Sequence, residues 1–315
     1  MGKTAWVFPG QGAQKVGMGH DFYEQYTASR TIFDEADAQL GFSLTDLIFQ
    51  GPEEELKKTA HTQPALLTTS IAILQAFKEL GLQADYTAGH SLGEYCALVA
   101  ANVLSFEDAV RIVRKRGEFM ESAVPAGEGA MAAVLGADRD KLEQLCSDIS
   151  AEGHSLEMAN VNCPGQIVIS GSAQGVALAV ERGKEATGAK RVMPLEVSGP
   201  FHSSLMQPAA DELAKVLTDL TFGDASIPVV SNVTAQAVEE GRELRQLLVD
   251  QVVSPVQWED SVKWMIEQGV DTFYEIGSGS VLAGLIKKMD RSVSVVSINS
   301  VEALEKVQAS LSQTE

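Results

Sequence analysis

The sequence predicts an α/β protein in two parts, and three observations support this prediction. The first is a series of short apolar runs, bounded by turn residues, that alternate with helical patterns. The second is a break in this rhythm in the middle of the chain. The third is the length of 315 residues, which suits two domains or one large domain carrying an insertion. We therefore expect a larger domain with a mostly parallel sheet and a smaller inserted unit.

Five apolar runs predict the strands of the larger domain: Ala5–Phe8, Tyr86–His90, Ile227–Ser231, Thr272–Ile276 and Val293–Ile298. Strands separated by helical segments are typical of βαβ units, in which the strands run parallel. One intervening helix is clear, because apolar residues recur at helical spacing before Gly81, a typical helix end: Leu67, Ile71, Leu74 and Phe77. These elements predict a parallel sheet covered by helices.

The middle of the chain predicts a different unit. After the loop Pro125–Gly129 we expect a strand, a helix, two strands, a helix and a strand: Ala130–Leu135, Arg139–Ser150, Leu156–Asn160, Gln166–Gly171, Ala173–Glu185 and Arg191–Leu195. This β-α-β-β-α-β order is the ferredoxin-like pattern. The predicted domains are residues 1–126 with 197–315 for the larger domain and residues 127–196 for an inserted ferredoxin-like α+β subdomain. A cleft between them is the expected place for a site.

The composition limits the functions that the chain can have. With 24 basic and 43 acidic residues the formal net charge is −19, which argues against nucleic-acid and membrane binding as general roles. The amino-terminal residues contain no signal-peptide pattern, and the cysteines form no CxxC pair, which favours a reducing compartment such as the cytoplasm. The five histidines form no ligand cluster, so we expect no metal site.

A serine nucleophile is indicated at Ser91. The segment Gly89–Gly93 matches G-x-S-x-G directly after a predicted strand and before the helical run 94–101. A serine on a sharp strand-to-helix turn is held exposed, and its attack on a carbonyl creates an oxyanion that faces helix N–H groups. This setting favours a nucleophile over a structural turn and makes the larger domain hydrolase-like.

A serine nucleophile needs a base, and His202 is the best candidate. It lies in a Gly/Pro-bounded loop where the chain returns from the inserted unit. From the residues alone, a buried or helix-capping histidine is an equally good interpretation. His90 adjoins Ser91, but neighbours on a tight turn point in different directions, so we expect His90 to pack beside the site.

Two other features have simple interpretations when taken alone. Arg116 belongs to a basic run with Arg111, Arg114 and Lys115, and such runs are usually solvated faces. The turn Gly10–Gly12 could begin a dinucleotide loop, but Lys15 occupies the place of the third glycine, so that fingerprint fails.

Taken together, the motifs resemble one family across nearly the whole chain. They follow one another in this order: Pro9–Gln14, Gly89–Tyr95, Arg116–Met120, Asn162–Gln166, Phe201-His202 and Pro255–Trp258. The set resembles the stand-alone malonyl-CoA:acyl carrier protein transacylases of bacterial type II fatty-acid synthesis. The resemblance implies a cytoplasmic acyltransferase, expected to be a monomer, that needs no cofactor. It would move a malonyl group from a coenzyme A thioester to acyl carrier protein through a malonyl-serine intermediate.

The resemblance also implies roles for individual residues. Ser91 would be the acylated nucleophile and His202 its general base and acid. No acidic residue presents itself to orient His202, and the resemblance implies that the backbone carbonyl of Gln251 would hold the imidazole N–H instead. The backbone N–H groups of Gln11 and Leu92 would form the oxyanion hole.

Substrate contacts follow from the same resemblance. Arg116 would pair with the free carboxylate of the malonyl group, through two parallel hydrogen bonds that lysine cannot form. Gln11 would contribute to the same site, and Phe201 resembles the malonyl-selecting form of its loop. Asn160 and Asn162 would be polar contacts in the cleft, although a turn role fits them equally well.

Two other classes of function stay open. G-x-S-x-G is also the signature of esterases and thioesterases, but their chain order places the histidine near the end, and no histidine follows His202 here. A non-catalytic scaffold that binds carrier protein is the third reading.

The negative charge raises a further expectation, because coenzyme A bears phosphates and acyl carrier proteins are typically acidic. We therefore expect the cations to be concentrated around the cleft: Arg111, Arg114, Lys115, Lys190, Arg191, Lys287, Lys288 and Arg291.

Overall fold

The structure, a computed structural model, describes residues 2–197 and 199–313. The strands in these ranges are β1 (Lys3–Phe8), β2 (Tyr86–Gly89), β3 (Gly129–Leu135), β4 (Leu156–Cys163), β5 (Gln166–Ser172), β6 (Arg191–Pro194), β7 (Val229–Val230), β8 (Ala237–Val238), β9 (Val270–Ile276) and β10 (Ser294–Ile298). 

The helices up to the smaller sheet are α1 (His20–Gln25), α2 (Thr27–Leu40), α3 (Leu44–Gln50), α4 (Glu53–Leu56), α5 (Thr59–Lys78), α6 (Gly93–Ala100) and α7 (Phe106–Ser122). The helices that follow are α8 (Arg139–Ala151), α9 (Ala173–Thr187), α10 (Gln207–Thr218), α11 (Gly241–Val253), α12 (Trp258–Glu267), α13 (Val281–Met289) and α14 (Val301–Ser312).

Six strands form the larger sheet in the order β10-β9-β1-β2-β7-β8. The first five in this order run parallel, and β8 runs antiparallel to β7. All five predicted strands are present, so the prediction of a mostly parallel α/β sheet is confirmed. β8 is not among the predicted strands, because its two residues are too few to show a periodicity.

The central strand β1 shows why this sheet is covered on both faces. Trp6 and Phe8 belong to one buried apolar cluster, while Ala5 and Val7 belong to another. Successive side chains of a strand point to opposite faces, so the two clusters lie on opposite sides of the sheet. The continuous apolar run of β1 therefore indicates a strand that is buried on both faces of the sheet.

The predicted helix around Leu67–Phe77 is α5, which is longer than its apolar stripe. It is buried on nearly every side, and Gly81 follows it with a φ of 72°, in the left-handed region. Polar residues such as Gln63 are therefore carried into the core together with the apolar ones. No helix within the described ranges is both long and apolar enough to cross a membrane.

The middle of the chain forms a second, antiparallel sheet in the order β4-β5-β3-β6. Its elements follow the predicted order, with α8 after β3 and α9 after β5. Ile149 of α8, Ala179 of α9 and Ile169 of β5 share one apolar cluster, so both helices pack on this sheet. β4 extends three residues beyond the predicted end at Asn160, to Cys163.

A backbone link fastens the smaller sheet to the larger part. Val161 donates its N–H to the carbonyl of Val256 at 2.9 Å, and the Val256 N–H donates to the carbonyl of Ala159 at 2.7 Å. Val256 thus forms a parallel bridge beside Asn160 of β4.

The link leaves a cleft of about 310 Å³, lined by residues of both parts. The carboxyl ends of β1 and β2 open onto this cleft, where α/β sheets commonly place their sites.

Candidate active site

Ser91 lies at the turn between β2 and α6. Its φ of 50° is in the left-handed region, which residues other than glycine rarely adopt. The turn also requires glycine at both ends. A Cβ on Gly89 would lie 1.9 Å from the carbonyl carbon of Gly93, and a Cβ on Gly93 would lie 2.2 Å from the carbonyl oxygen of Phe8. Such a strained turn presents the Ser91 side chain to the cleft that it lines.

His202 contacts the Ser91 hydroxyl from the opposite side of the cleft. Its Nε2 lies 2.8 Å from Ser91 Oγ, and its Nδ1 lies 2.8 Å from the backbone carbonyl oxygen of Gln251. A carbonyl oxygen only accepts hydrogen bonds, so Nδ1 must carry the proton. Nε2 is then unprotonated and accepts the hydrogen bond that the Ser91 hydroxyl donates. The pair has the geometry of a nucleophile with its general base.

The surroundings of His202 keep its imidazole neutral. Burial is the largest cause and the positive charge of Arg116 the second, and together they lower the pKa of His202 to about 3. The hydrogen bond from Nδ1 to the Gln251 carbonyl opposes these effects without cancelling them. At neutral pH the side chain is therefore a proton acceptor.

The N–H groups of Gln11 and Leu92 have no hydrogen-bond acceptor among the described residues of the protein. Both residues line the cleft beside Ser91. The Ser91 N–H, in contrast, donates to Asn232 Oδ1 at 2.7 Å. Close approach of the two loops depends on Gly10, since a Cβ there would lie 2.3 Å from the His90 carbonyl oxygen. Two N–H groups are thus free to donate to an oxygen of a bound ligand.

Arg116 is buried, with an exposed fraction of 1%, so its interpretation as part of a solvated face is wrong. Its Nη1 donates to Gln63 Oε1 at 2.8 Å, and its Nη2 donates to Gln251 Oε1 at 2.8 Å and to Ser91 Oγ at 3.2 Å. These partners are neutral. No carboxylate oxygen of the described chain lies within ion-pair distance of this guanidinium. The Glu94 carboxyl is near enough to interact electrostatically with this cation but does not hydrogen-bond to it. A buried guanidinium whose hydrogen bonds all go to neutral groups is costly, and it points to an anionic ligand.

The remaining predicted residues also meet at the cleft. His90 packs beside the site as expected, and its Nε2 lies 2.8 Å from Asn162 Oδ1. Phe201 is 6% exposed and lines the cleft next to His202. Asn160 lines the cleft as well, and its buried Oδ1 has no partner in the part of the protein that the structure describes.

Sequence reasoning missed three buried polar side chains at the site: Gln63, Glu94 and Asn232. Asn232 follows β7 at the same carboxyl edge of the sheet, and this position was a usable signal. Glu94 lies in the first turn of α6 among apolar residues, where burial raises the pKa of its carboxyl to about 7. A polar residue within an otherwise apolar helix is the signal that Glu94 and Gln63 share.

The expected ring of cations around the cleft is only partly present. Arg111 and Arg114 form ion pairs with acidic residues of their own helix, Asp108 and Glu118, and neither arginine lines the cleft. Lys288 is closer to the cleft, because its Nζ donates at 3.3 Å to Gln166 Oε1, and Gln166 lines it.

Comparisons with known proteins agree with this geometry. Residues 5–311 match the family model described as the acyl transferase domain. Among curated relatives, the malonyl CoA-acyl carrier protein transacylase of Bacillus subtilis is 55% identical over 97% of this chain and 96% of its own length. The protein of the same name from Staphylococcus aureus is 51% identical over 96% of this chain and 97% of its own.

Solved structures give the same result. An acyl carrier protein S-malonyltransferase from Vibrio cholerae superposes with a TM-score of 0.94 at 46% identity, covering 97% of this chain and 99% of that one. A malonyl-transacylase in complex with a type II polyketide acyl-carrier protein superposes with a TM-score of 0.94 at 43% identity, covering 98% of this chain and 99% of that one. With this family match and these identities, the chain belongs to the acyl transferase domain family.

Proposed function

We propose that this protein is a malonyl-CoA:acyl carrier protein S-malonyltransferase that supplies malonyl units for fatty-acid chain elongation. The relatives at 55% and 51% identity carry transacylase names, which supports the reaction class. One observation of the structure carries the substrate class. The buried Arg116 guanidinium donates hydrogen bonds only to neutral groups, and its Nη2 lies 3.2 Å from Ser91 Oγ, where an acyl group with a free carboxylate would supply an anionic acceptor.

In the first half-reaction, we propose that Ser91 Oγ attacks the thioester carbonyl of malonyl-CoA while His202 Nε2 takes the hydroxyl proton. The negative charge that develops on the carbonyl oxygen is stabilised by the N–H groups of Gln11 and Leu92. Loss of one such donor typically costs about 3 kcal/mol of activation free energy. The C–S bond then breaks, His202 gives its proton to the departing thiolate, and a malonyl-serine ester remains.

In the second half-reaction, the phosphopantetheine thiol of acyl carrier protein takes the place of coenzyme A. His202 accepts the thiol proton as the sulfur attacks the ester carbonyl, and the same two N–H groups stabilise the oxyanion. When the ester C–O bond breaks, His202 returns the proton to Ser91 Oγ. Every step uses groups of the chain itself, so we propose a ping-pong transfer that requires no cofactor.

Gln251 and Phe201 complete the proposed site. The Gln251 backbone carbonyl fixes the His202 tautomer, and its side chain holds Arg116. Phe201 narrows the cleft beside His202, which fits the small malonyl group. Asn160 and Asn162 face the cleft from the smaller sheet, and we assign them polar contacts with the remainder of the thioester substrate.

The direct test is to mix the protein with radiolabelled malonyl-CoA, quench the mixture in acid and map the label. We expect stable label on Ser91 and none on the Ser91→Ala variant. A parent protein that stays unlabelled, or a Ser91→Ala variant that is labelled fully, would contradict the proposal. If carrier protein still bound an unlabelled parent, the scaffold reading would hold instead.

The hydrolase reading is tested by the fate of the labelled enzyme. We expect transfer of the malonyl group to carrier protein to be faster than its release to water. A wide preference for water would make the protein a thioesterase.

The acylation of Ser91 should depend weakly on pH in the acidic range. His202 stays neutral down to a pKa of about 3, whereas the neutral fraction of an ordinary histidine would fall about 30-fold between pH 8 and pH 5. We expect the second-order rate constant for acylation to change little between pH 8 and pH 5, measured in single turnovers. A decline near pH 6.5 in both the parent and a Glu94→Gln variant would contradict this. A decline near pH 7 that the variant lacks would report the Glu94 carboxyl instead.

We propose that acyl carrier protein binds at helix α13, because Val281 and Leu285 of this helix line the cleft. Lys288 lies seven residues after Val281 and three after Leu285, which places it on the same helical face. Lys287 instead donates to the backbone carbonyl of Val293. Lys288→Glu should therefore raise the apparent KM for acyl carrier protein several-fold at low ionic strength. The matched control is Lys287→Glu, which makes the same charge change one residue away. Equal effects of the two reversals would remove Lys288 from the interface.

We further propose that residues 127–196 form a ferredoxin-like subdomain inserted into a hydrolase-like domain made of residues 1–126 and 197–315. The β-α-β-β-α-β order with strand order β4-β5-β3-β6 supports this division. A cytoplasmic location agrees with three free, buried cysteines.

A further inference from the structure

The Gln251 side chain connects the two halves of the proposed site. Its Oε1 accepts from Arg116 Nη2 at 2.8 Å, and its Nε2 donates to the Ser91 carbonyl at 3.1 Å. The same Nε2 lies 3.0 Å from Glu94 Oε2. An amide has one accepting end and one donating end, so the side chain holds Arg116 only in one of its two orientations. Turned by 180°, it would place N–H groups against the guanidinium.

The Glu94 carboxyl is the acceptor that faces the donating end of the Gln251 amide. Its Oε2 accepts from Gln251 Nε2 and also from the Asn232 N–H at 2.9 Å. The Asn232 side chain in turn accepts from the Ser91 N–H and donates to the Gly89 carbonyl at 2.7 Å. The buried carboxyl therefore supports the nucleophile turn through Asn232 and the guanidinium through Gln251.

Burial of this carboxyl is costly, and the two hydrogen bonds to Oε2 and the nearby charge of Arg116 offset only part of that cost. Glu94 is fully buried, and its Oε1 has no hydrogen-bond partner among the described residues. The described chain offers it no ion pair either. An apolar residue would suit the interior of α6 better if packing were the only requirement. The carboxyl contributes one acceptor oxygen, Oε2, which accepts from both Gln251 Nε2 and the Asn232 N–H.

We propose that Glu94 is a positioning residue that sets the orientation of the Gln251 amide and thereby aims Arg116 at the acyl carboxylate. This inference rests on the proposed function, because the carboxylate is that of the malonyl group. Glu94 itself is not expected to touch the substrate. We expect Glu94 to affect mainly the selectivity between acyl groups, since Arg116 would contact the carboxylate that malonyl has and acetyl lacks.

The test compares acylation of Ser91 by malonyl-CoA and by acetyl-CoA, a neutral acyl probe, in Glu94→Leu and Glu94→Gln. In Glu94→Leu we expect the ratio of the two kcat/KM values to fall by about tenfold, the usual effect of losing a hydrogen bond that supports a charged group. Glu94→Gln keeps an acceptor oxygen and should restore the ratio to nearly that of the parent. Equal losses with both substrates in Glu94→Leu, or no change in the ratio, would overturn the proposal, because a purely structural role would not alter selectivity.

A second variant covers the case in which Glu94→Leu does not fold. Gln251→Met removes the side-chain amide and keeps the backbone carbonyl that holds His202, so it should lower the same ratio by itself. In that background Glu94→Leu should cause no further loss of selectivity. Parent-like selectivity of Gln251→Met would overturn the proposal. Failure of the parent protein to form malonyl-Ser91 would instead refute the proposed function, so the two failures are distinguishable.

Discussion

Replacing His202 with alanine should slow the acylation of Ser91 by about 10³-fold, within the range for loss of a general base. Nε2 is the proton acceptor 2.8 Å from Ser91 Oγ. Without it the hydroxyl must lose its proton to water. The Arg116 contact to Ser91 Oγ cannot replace the base, because a guanidinium only donates hydrogen bonds.

The measurement is the single-turnover rate of malonyl-Ser91 formation at saturating malonyl-CoA. A matched control is His20→Ala, which removes an imidazole from the outer surface, where the side chain of His20 is 49% exposed. The control should acylate at the parent rate. A His202→Ala rate within tenfold of the parent would show that another group takes the proton, and His90 would be the next residue to test.

How far the sequence predicts this site depends on the range of the interaction. Ser91 was found from five adjacent residues, because the strand, the glycines and the helix that hold it are all local. The residues alone leave two interpretations of His202 open, since its pairing with a residue 111 positions away is created by the fold. Its support by the Gln251 carbonyl could be inferred only from the family resemblance, because a backbone carbonyl carries no sequence signal.

The interpretation of Arg116 as part of a solvated charge run is wrong, and the helical spacing of the residues around it predicts its buried position. Ile112 and Met120, four residues before and after it, are both buried in α7. Arg116 therefore lies on the inward face of the helix, whereas Lys115 lies on the outward face. Periodicity within a helix was a better guide to its position than the local density of positive charge.

Arg116→Met should lower kcat/KM for malonyl-CoA by about 100-fold, the effect expected from losing a charge-assisted pair with the substrate carboxylate. Acylation by acetyl-CoA should be retained or improved, because an acetyl group has no carboxylate to match the cation. Arg116→Lys is the control for charge alone. Lysine keeps the charge but lacks the planar fork that donates two parallel hydrogen bonds to a carboxylate, so it should recover only part of the malonyl rate. Equal losses with both thioesters would place Arg116 in support of Ser91 only.

The same substitution should also change the pH profile. Arg116 is the second cause, after burial, of the lowered pKa of His202, so removal of its charge raises the His202 pKa while burial still holds it below 6.5. The acidic limb of acetyl-CoA acylation should therefore move upward in pH in Arg116→Met relative to the parent. In the proposed malonyl complex of the parent, the substrate carboxylate would neutralise the same charge. A malonyl group bound in this way would make His202 a stronger base at the moment when the proton of Ser91 must be removed.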